Sequence, residues 1–393
     1  MQSFKNSIIQ KFSYSIIRLF SYSVIQLFAI SAQAQWFPST LLTSPALSEA
    51  DSNKFTLGTD ITGFFKNNEY FSPVAVGQTL PGASMLLTVD YQISGKFRTE
   101  AGMYAVKYSG EDRLSDVQPF VRLQYAITPN FNMVVGNLYG GVNHRLIEPL
   151  YQWERHFTDK PESGLQFVLH NDRWFTDVWV NWQHFIRRGS PVPEMLTFGT
   201  SASYRVFHPS RRFGLSIPVQ LLIHHTGGQI DTSPDRMIVL GNAATGICSK
   251  WNITDSWIRS VGLDIYLAGY YDRYPNEELR PYRSSLGVYP VFHIDATPFE
   301  MMAGYWQTEK YYSFMGEPLF GSFDPYQPLN PEKRLPERKM LALKLAYNIK
   351  LLKGVQLGTQ VEIYTDLLRK ETDYSFGVHL RFNDRFLRVS RKN

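Results

Sequence analysis

The stretch Tyr374 to Phe382 reads Tyr-Ser-Phe-Gly-Val-His-Leu-Arg-Phe. Alternate positions are aromatic or aliphatic, and the positions between them hold serine, glycine, histidine and arginine. Successive side chains of a β-strand point to opposite faces, so the stretch predicts a strand with one apolar and one polar face. A strand that covers a soluble core has the same pattern. The fold therefore depends on how often the pattern recurs.

The pattern recurs along most of the chain. It is clear in residues 213–223, 261–267, 341–349 and 355–363. We predict about sixteen such strands, and the one near Met237 is the least regular because glycine and alanine blur its two faces. Two-faced segments of about ten residues, separated by turn residues, are typical of a transmembrane β-barrel with lipid outside and water inside. The predicted fold class is therefore all-β, an antiparallel transmembrane barrel.

The connections between these segments alternate in length. Short turns rich in Gly, Asn, Asp and Ser occur at 94–95, 171–172 and 353–354, and longer links such as 140–163 and 314–336 lie between them. In bacterial barrels the short turns face the periplasm and the long loops face outward. The alternation predicts this topology.

Composition excludes several other classes of protein. The chain has 44% hydrophobic and 15% aromatic residues and a mean hydropathy of −0.24. It contains no uncharged apolar run of about eighteen residues, which excludes a helical membrane protein. Without residues 1–34 the net charge falls from +5 to about +2, which gives no support for a nucleic-acid partner. The single Cys248 excludes an internal disulfide and a cysteine-based metal cluster.

The first residues carry the features of an export signal. Lys5 and Lys11 precede a mostly apolar core at 19–30, and Ala32-Gln33-Ala34 is a small-x-small cleavage site. We predict a cleaved signal peptide at 1–34 and location in the outer membrane of a Gram-negative cell. The predicted segments that follow are a periplasmic lead-in at 35–53, the barrel at 54–383 and a C-terminal tail at 384–393.

Charged residues fall on the polar face of many predicted strands. In lipid each would cost about 2–4 kcal/mol near the bilayer midplane, so their shared face predicts a wet interior. Their signs are mixed, which argues against a strongly anion- or cation-selective pore. We predict that the following wall residues line the substrate pathway: Arg98, Glu100, Arg122, Arg205, Lys344 and Arg381.

The third long loop, 139–163, is too apolar for a solvated surface loop. Four apolar residues within it fall at helical spacing: Leu146, Leu150, Trp153 and Phe157. We predict that they pack the loop against the inner wall and that the charges around them form a constriction: Arg145, Glu148, Glu154 and Arg155. The alternative is a folded outer cap that never enters the lumen. The loop at 314–336 is as long, and its Pro and Gly content predicts an outer cap.

Neither a metal site nor a catalytic motif is evident. His144, Glu148 and His156 lack the spacing of a metal-ligand set. The chain contains no Gly-x-Ser-x-Gly elbow, P-loop or His-Glu-x-x-His motif. We therefore predict no cofactor, no metal, no catalytic residues and no enzymatic activity.

With its strand count, alternating connections and third loop, the chain resembles the sixteen-stranded porins of bacterial outer membranes from Phe55 to Phe382. The most specific likeness is the final strand, where Ser375, Gly377, Leu380 and Phe382 resemble the C-terminal assembly signal of that family. The chain differs in continuing to Asn393. The resemblance implies outer-membrane lipid, small solutes and the barrel-assembly machinery as partners, and it admits a homotrimer.

The function that these observations favour is a channel for passive or weakly selective diffusion of small hydrophilic solutes. One alternative is an uptake barrel for hydrophobic molecules, suggested by four inward aromatic residues: Tyr104, Tyr266, Tyr289 and Trp306. Another alternative is a barrel without a channel function, either an enzyme or a scaffold or adhesin. A catalytic barrel would bring Ser, His and an acid or amide together at one height of one face.

Overall fold

The computed structural model of the protein describes residues 39–43, 46–208, 211–254 and 256–390. For residues 387–390 it describes the backbone only. Across the described ranges, sixteen strands form a closed barrel. They are β1 Lys54–Glu69, β2 Thr79–Ser94, β3 Phe97–Tyr108, β4 Asp116–Thr128, β5 Phe131–Asn137, β6 Ser163–His170, β7 Trp174–His184, β8 Met195–Arg205, β9 Phe213–Thr226, β10 Ile238–Asn252, β11 Ser260–Asp272, β12 Ser284–Ala296, β13 Phe299–Glu309, β14 Glu337–Leu352, β15 Val355–Asp366 and β16 Glu371–Ser390. No helix in the described residues is long and apolar enough to cross a bilayer.

Each strand pairs antiparallel with its neighbours in the sequence, and β1 closes the ring against β16. The prediction of an antiparallel barrel of about sixteen strands is confirmed. Within the described residues, the helical content is one short α-helix, α1 at Arg155–Thr158, and several single turns of 3₁₀-helix, among them Ser39–Leu41, Gly141–His144 and Pro318–Phe320.

The two faces of β16 follow the predicted alternation. Val378 and Leu380 point outward and are 41% and 49% exposed, whereas His379 and Arg381 point inward and are 3% and 2% exposed. Outward aromatic pairs such as Phe55–Tyr91, with ring centroids 4.2 Å apart, lie at the short-turn end of the wall. Other such pairs at this end are Trp174–Tyr204 and Phe299–Tyr347. They form the aromatic girdle expected at a lipid interface.

The last strand is longer than the sequence pattern indicates. β16 runs to Ser390, through most of the segment at 384–393 that we predicted as a tail. The extension forms because β1 offers it a partner. β1 begins at Lys54, which pairs with Ser390, and its first residues supply hydrogen-bonding groups for the extension. The weakly patterned strand near Met237 is also fully formed, as β10.

The lead-in segment enters the barrel. Thr40 and Leu41 are 7% and 0% exposed, and Thr40 contacts His379 on the inner wall. Arg381 donates to the backbone carbonyl oxygens of Thr40 and Leu42 at 2.8 and 3.2 Å. The predicted signal peptide at 1–34 lies outside the described residues.

Candidate functional site

Two long connections fill the barrel lumen where we predicted a wet interior. We call residues 138–162, between β5 and β6, the lumen loop, and residues 310–336, between β13 and β14, the cap loop. They are joined by backbone bonds: Gln152 N–H donates to the Met315 carbonyl at 2.8 Å, and Glu317 N–H donates to the Glu148 carbonyl at 3.1 Å. The prediction that 314–336 forms an outer cap is therefore wrong for its first half, because Leu319 and Phe320 are fully buried against the lumen loop and wall.

The lumen loop leaves the wall because β5 is short. β5 ends at Asn137, and the side-chain oxygen of Asn137 accepts a 2.8 Å bond from Val121 N–H on β4, which satisfies the next ladder position. Gly136 has φ +92°, and a Cβ there would collide with the Val121 carbonyl oxygen. Only glycine accommodates this turn into the lumen at low cost.

The apolar residues of the lumen loop are buried, but they do not form a helix. Leu146, Leu150, Trp153 and Phe157 are 6%, 0%, 3% and 2% exposed. Helical structure is limited to Gly141–His144 and α1. The helical spacing was misleading because the backbone of this segment bonds to its surroundings. Ile147 N–H, for example, donates to the side chain of Gln220 on β9 at 2.9 Å.

Two predicted constriction residues form a buried ion network with the wall. Glu154 accepts a 2.6 Å bond from Lys66 on β1, and Glu148 is ion-paired with Lys344 on β14. Glu362 on β15 lies 3.6 Å from each of the two lysine nitrogens. All five side chains are less than 5% exposed. The loop is thereby attached to three strands of the wall.

His144 attaches the first part of the lumen loop. Its Nδ1 lies 2.8 Å from Asp177 on β7 and its Nε2 lies 2.9 Å from Glu162, while the ring stacks on Trp179 at 3.5 Å. Burial alone would lower the pKa of His144, but the two carboxylates raise it to about 10. The imidazole is therefore a cation at neutral pH and is unavailable as a base.

His156 does not join His144 in a metal site. Burial and the positive charge of Arg381 lower the pKa of His156 to about 4. Glu148, the third residue of that set, bonds Lys344 instead. Among the described residues, no cluster of histidine, cysteine and acidic side chains has the arrangement of a metal site.

The remaining predicted pathway residues are scattered around the wall. Glu100 lies 2.9 Å from both Arg98 and Arg122 in a buried triad. The others have separate contacts: Arg381 with Asp60, Arg205 with the Asp172 carbonyl, Arg155 with Asp159, and Arg145 over the ring of Phe175. The structure thus brings Glu148, Glu154 and Lys344 together in one cluster and Arg98, Glu100 and Arg122 in another. The other four predicted residues lie apart from both.

The inward aromatic residues hold the cap loop. Trp306 Nε1–H donates to the Phe320 carbonyl at 3.0 Å, and the rings of Tyr289 and Phe320 are 5.3 Å apart. Tyr266 belongs to the same buried cluster, whereas Tyr104 packs on a separate one. The inward aromatic residues that suggested uptake of hydrophobic molecules therefore pack against other residues of this protein.

A polar cluster lies on the lipid-facing side of the wall, at the long-loop end. Asn67 Nδ2–H donates to Glu69 Oε1 at 2.7 Å, and Thr79 Oγ1–H donates to Asn67 Oδ1 at 2.5 Å. Asn67 and Glu69 share the outward face of β1 with Phe65, which is 39% exposed, and Asn67 pairs with Thr79 across the β1–β2 ladder. We call Asn67, Glu69 and Thr79 the rim site.

Aromatic side chains surround the rim site on the outer surface. Phe65 contacts Phe376, with ring centroids 6.1 Å apart, and Phe71 contacts Tyr374 at 6.3 Å. Glu69 pairs with Tyr374 across the β1–β16 ladder. The site therefore combines a carboxylate, an amide and a hydroxyl with an apolar surface that an acyl chain can cover. A carboxylate can act as a general base, and amide and hydroxyl groups can stabilise an oxyanion.

A hydroxyl group and an imidazole lie within hydrogen-bonding distance of each other inside the barrel. Thr40 Oγ1 is 2.6 Å from His379 Nε2, the separation of a nucleophile and its base. Both residues are buried in the lumen. This pair is therefore reached from the lumen, whereas the rim site is reached from the outer surface of the wall.

The sequence contains one signal for the rim site. The outward face of β1 is mostly apolar up to Phe65 and then changes to Asn67 and Glu69. That break ends the apolar band, and it also marks polar groups at the height where lipid headgroups begin. Thr79 lies beyond a loop, so only the strand register reveals it.

The chain matches one protein family over most of its length and shares a distant likeness with solved barrel structures. The family model described as Lipid A 3'-O-deacylase-type matches residues 47–390. No curated protein matches the sequence significantly. Among solved structures, OprD from Pseudomonas aeruginosa is 8% identical, with 89% of this chain and 98% of that chain covered and a TM-score of 0.49. OmpF from Salmonella typhi is 12% identical, with 86% and 100% covered and a TM-score of 0.46. At these values the likeness to porins carries nothing about function.

The family match corrects one prediction. We predicted no enzymatic activity, because the familiar catalytic motifs are absent. A deacylase family is a family of enzymes, so that prediction is wrong. Those motifs belong to soluble folds, and the same chemistry can arise on an unrelated fold without them. Of the predicted functions, the enzyme alternative now has more support than the channel.

Proposed function

Because the chain belongs to the lipid A 3'-O-deacylase-type family, we propose that it is an outer-membrane hydrolase that removes an ester-linked acyl chain from a lipid A-type glycolipid. The observation that carries the proposal is the rim site. Asn67, Glu69 and Thr79 are hydrogen-bonded to one another on the lipid-facing surface. Ester groups of membrane lipids lie at this boundary between headgroup and acyl chain.

The chemistry assigned to the rim site is general-base hydrolysis. Glu69 accepts a proton from a water molecule, whose oxygen attacks the ester carbonyl carbon. The carbonyl oxygen gains the negative charge and is stabilised by the second N–H of Asn67. The Thr79 hydroxyl holds that amide in place by donating to Asn67 Oδ1. When the intermediate collapses, the bond to the sugar oxygen breaks and Glu69 returns the proton to that oxygen. The products are a free fatty acid and a hydroxyl group on the glycolipid.

The filled lumen supports surface catalysis. At the height of Asn67, the neighbouring inward residues Lys66 and Asn68 both donate to Glu154 of the lumen loop, at 2.6 and 2.7 Å. The inner side of β1 is thus occupied by protein. The acyl chain has a continuous apolar surface outside, formed by Phe65 and Phe376.

The experiment measures release of fatty acid by mass spectrometry from vesicles that contain lipid A and the purified protein. Glu69→Gln should lower the rate about 100-fold or more, because it removes the base and keeps the shape. Glu337→Gln, at an exposed acid on β14, is the matched control and should leave the rate unchanged. Wild-type release with no loss in Glu69→Gln would contradict the assignment of Glu69, and absence of release from wild type would contradict the proposed function.

A channel is the second candidate function, favoured by one observation. The lumen loop crosses the interior of a sixteen-stranded barrel, and such a barrel is wide enough for an aqueous pathway. A loop in this position acts as a constriction if it leaves a passage beside it. The direct readout is single-channel conductance of the purified protein in a planar bilayer.

A further inference from the structure

Glu317 of the cap loop is a carboxyl group buried in the lumen. It is 3% exposed, and its backbone N–H donates to Glu148 of the lumen loop at 3.1 Å. Among the described residues, its Oε1 has no hydrogen-bond partner, and the same holds for the hydroxyl of Tyr70 in the β1–β2 connection. An acceptor oxygen buried without a donor is costly for an ionised carboxyl group and much less so for a neutral one.

The groups facing Glu317 carry excess negative charge. Glu148 and Glu154 come from the lumen loop, and the wall contributes Glu362 and Lys66. A second lysine, Lys344, is paired with Glu148 in the same network. Tyr364 bonds Glu148 and Glu362 in the same surroundings. Tyr70 is neutral there, because burial raises the pKa of its hydroxyl well above the usual value. Four carboxyl groups thus face two lysines. The ionised groups would carry two more negative than positive charges, and one bound proton reduces this excess by half.

Glu317 is the member of this set with the weakest stabilisation of its charge. Burial raises the pKa of Glu317 to about 8; Lys66 opposes the rise, and Glu154, Glu148 and Glu362 add to it. Burial and Glu362 also raise the pKa of Glu148, but its own lysine, Lys344, opposes this. In the unfolded chain a glutamic acid titrates near pH 4.3.

We infer that Glu317 is a proton-binding site, and that loss of its proton releases the cap loop from the lumen loop. The proton holds the two loops together at neutral and acidic pH. Because the folded pKa lies above the unfolded one, the contribution to stability is complete at low pH and is lost progressively as pH rises through about 8. The inference is independent of the proposed hydrolase.

Hydrogen exchange of the full-length protein in detergent, measured by mass spectrometry, tests whether the Glu317 proton holds the cap loop and the lumen loop together. The peptides observed contain the amides of Gln152 and Glu317, which bond across the two loops. After correction for the intrinsic exchange rate, their protection should fall by about tenfold or more between pH 6 and pH 9 in the wild type. Glu317→Gln keeps the shape without the charge and should show no such fall.

Glu332→Gln is the matched control, because Glu332 is an exposed glutamate of the same loop. It should behave as the wild type. An equal loss of protection in Glu317→Gln and wild type would overturn the inference. If Glu317→Gln does not fold, infrared spectroscopy of the wild type decides the question: the band of a buried protonated carboxyl group must be present at pH 6 and absent at pH 9. Its absence at pH 6 would also overturn the inference.

Discussion

At the scale of single residues, burial decides what each charged side chain does. Glu148, Glu154 and Lys344 have the residue types of a selectivity filter, yet each is less than 5% exposed and ion-paired. A buried ion pair adds little net stability, but removal of one partner leaves a buried charge uncompensated. The lumen therefore tolerates loss of a whole pair better than loss of half of one.

His144 provides the sharpest test of this principle. His144→Ala leaves Asp177 and Glu162 buried without their shared cation, so the free energy of unfolding should fall by about 3–5 kcal/mol at pH 6. The folded pKa of His144, about 10, lies above the unfolded value near 6.5. The stabilisation is therefore complete below pH 6.5 and is lost as pH rises through 10.

Urea unfolding in detergent, followed by tryptophan fluorescence between pH 6 and pH 10, measures this effect. His184→Ala, at an exposed histidine near the end of β7, is the control and should cost less than about 0.5 kcal/mol. A His144→Ala protein as stable as the control at pH 6 would show that the two carboxylates are satisfied without the imidazole.

At the scale of elements, the lumen loop is determined by its attachments and not by its helical spacing. Its entry is fixed by Gly136 at φ +92° and by Asn137, which replaces a backbone partner of β4. Its path is then fixed by bonds to Gln220, Glu362 and Lys66 on three separate strands. These contacts join residues far apart in the sequence, so periodicity within the loop does not contain them.

Deletion of Arg145 to Phe157 tests whether this loop limits passage. The deletion removes the ion-pair partners and the apolar residues that fill the lumen, so single-channel conductance should rise at least severalfold and larger solutes should pass. Deletion of 229–235, in the connection between β9 and β10, is the control and should change conductance little. A folded lumen-loop deletion with wild-type conductance would show that the passage is closed elsewhere.

At the scale of the whole molecule, the strands of the barrel wall were predictable from the sequence, and the paths of the two loops inside the lumen were not. Alternation in residues such as Val378, His379 and Leu380 reports directly which face a strand side chain occupies. The same alternation also places Gln220 on the inner face, but it does not indicate whether water or protein lies there. That distinction requires the positions of both loops, which depend on contacts across the ring.

The rim site shows a similar limit. The change from Phe65 to Asn67 and Glu69 is visible in the sequence, whereas its link to Thr79 depends on the β1–β2 register. A register shift of one residue would move Thr79 to the other face. Familiar motifs could not help, because the three residues are neither contiguous nor part of a soluble catalytic fold.

The location of the whole protein remains a proposal with a direct test. We propose that it is exported by a cleaved signal peptide and resides in the outer membrane. Edman sequencing of the protein extracted from the membrane fraction should give a mature chain that begins near Gln35. Recovery in the soluble periplasmic fraction would contradict the proposal.

The ion network of the lumen also has a consequence for assembly. Lys66 lies on β1 and Glu362 on β15, near opposite ends of the chain, and they become neighbours only when β1 meets β16. Before that event the lumen loop has only part of its attachments, and contacts of such high sequence separation form late. Closure of the ring therefore also completes the attachment of the lumen loop. A nascent barrel whose last strand has not yet docked is an open ring in which unpaired strand edges and an incompletely attached lumen loop are exposed together.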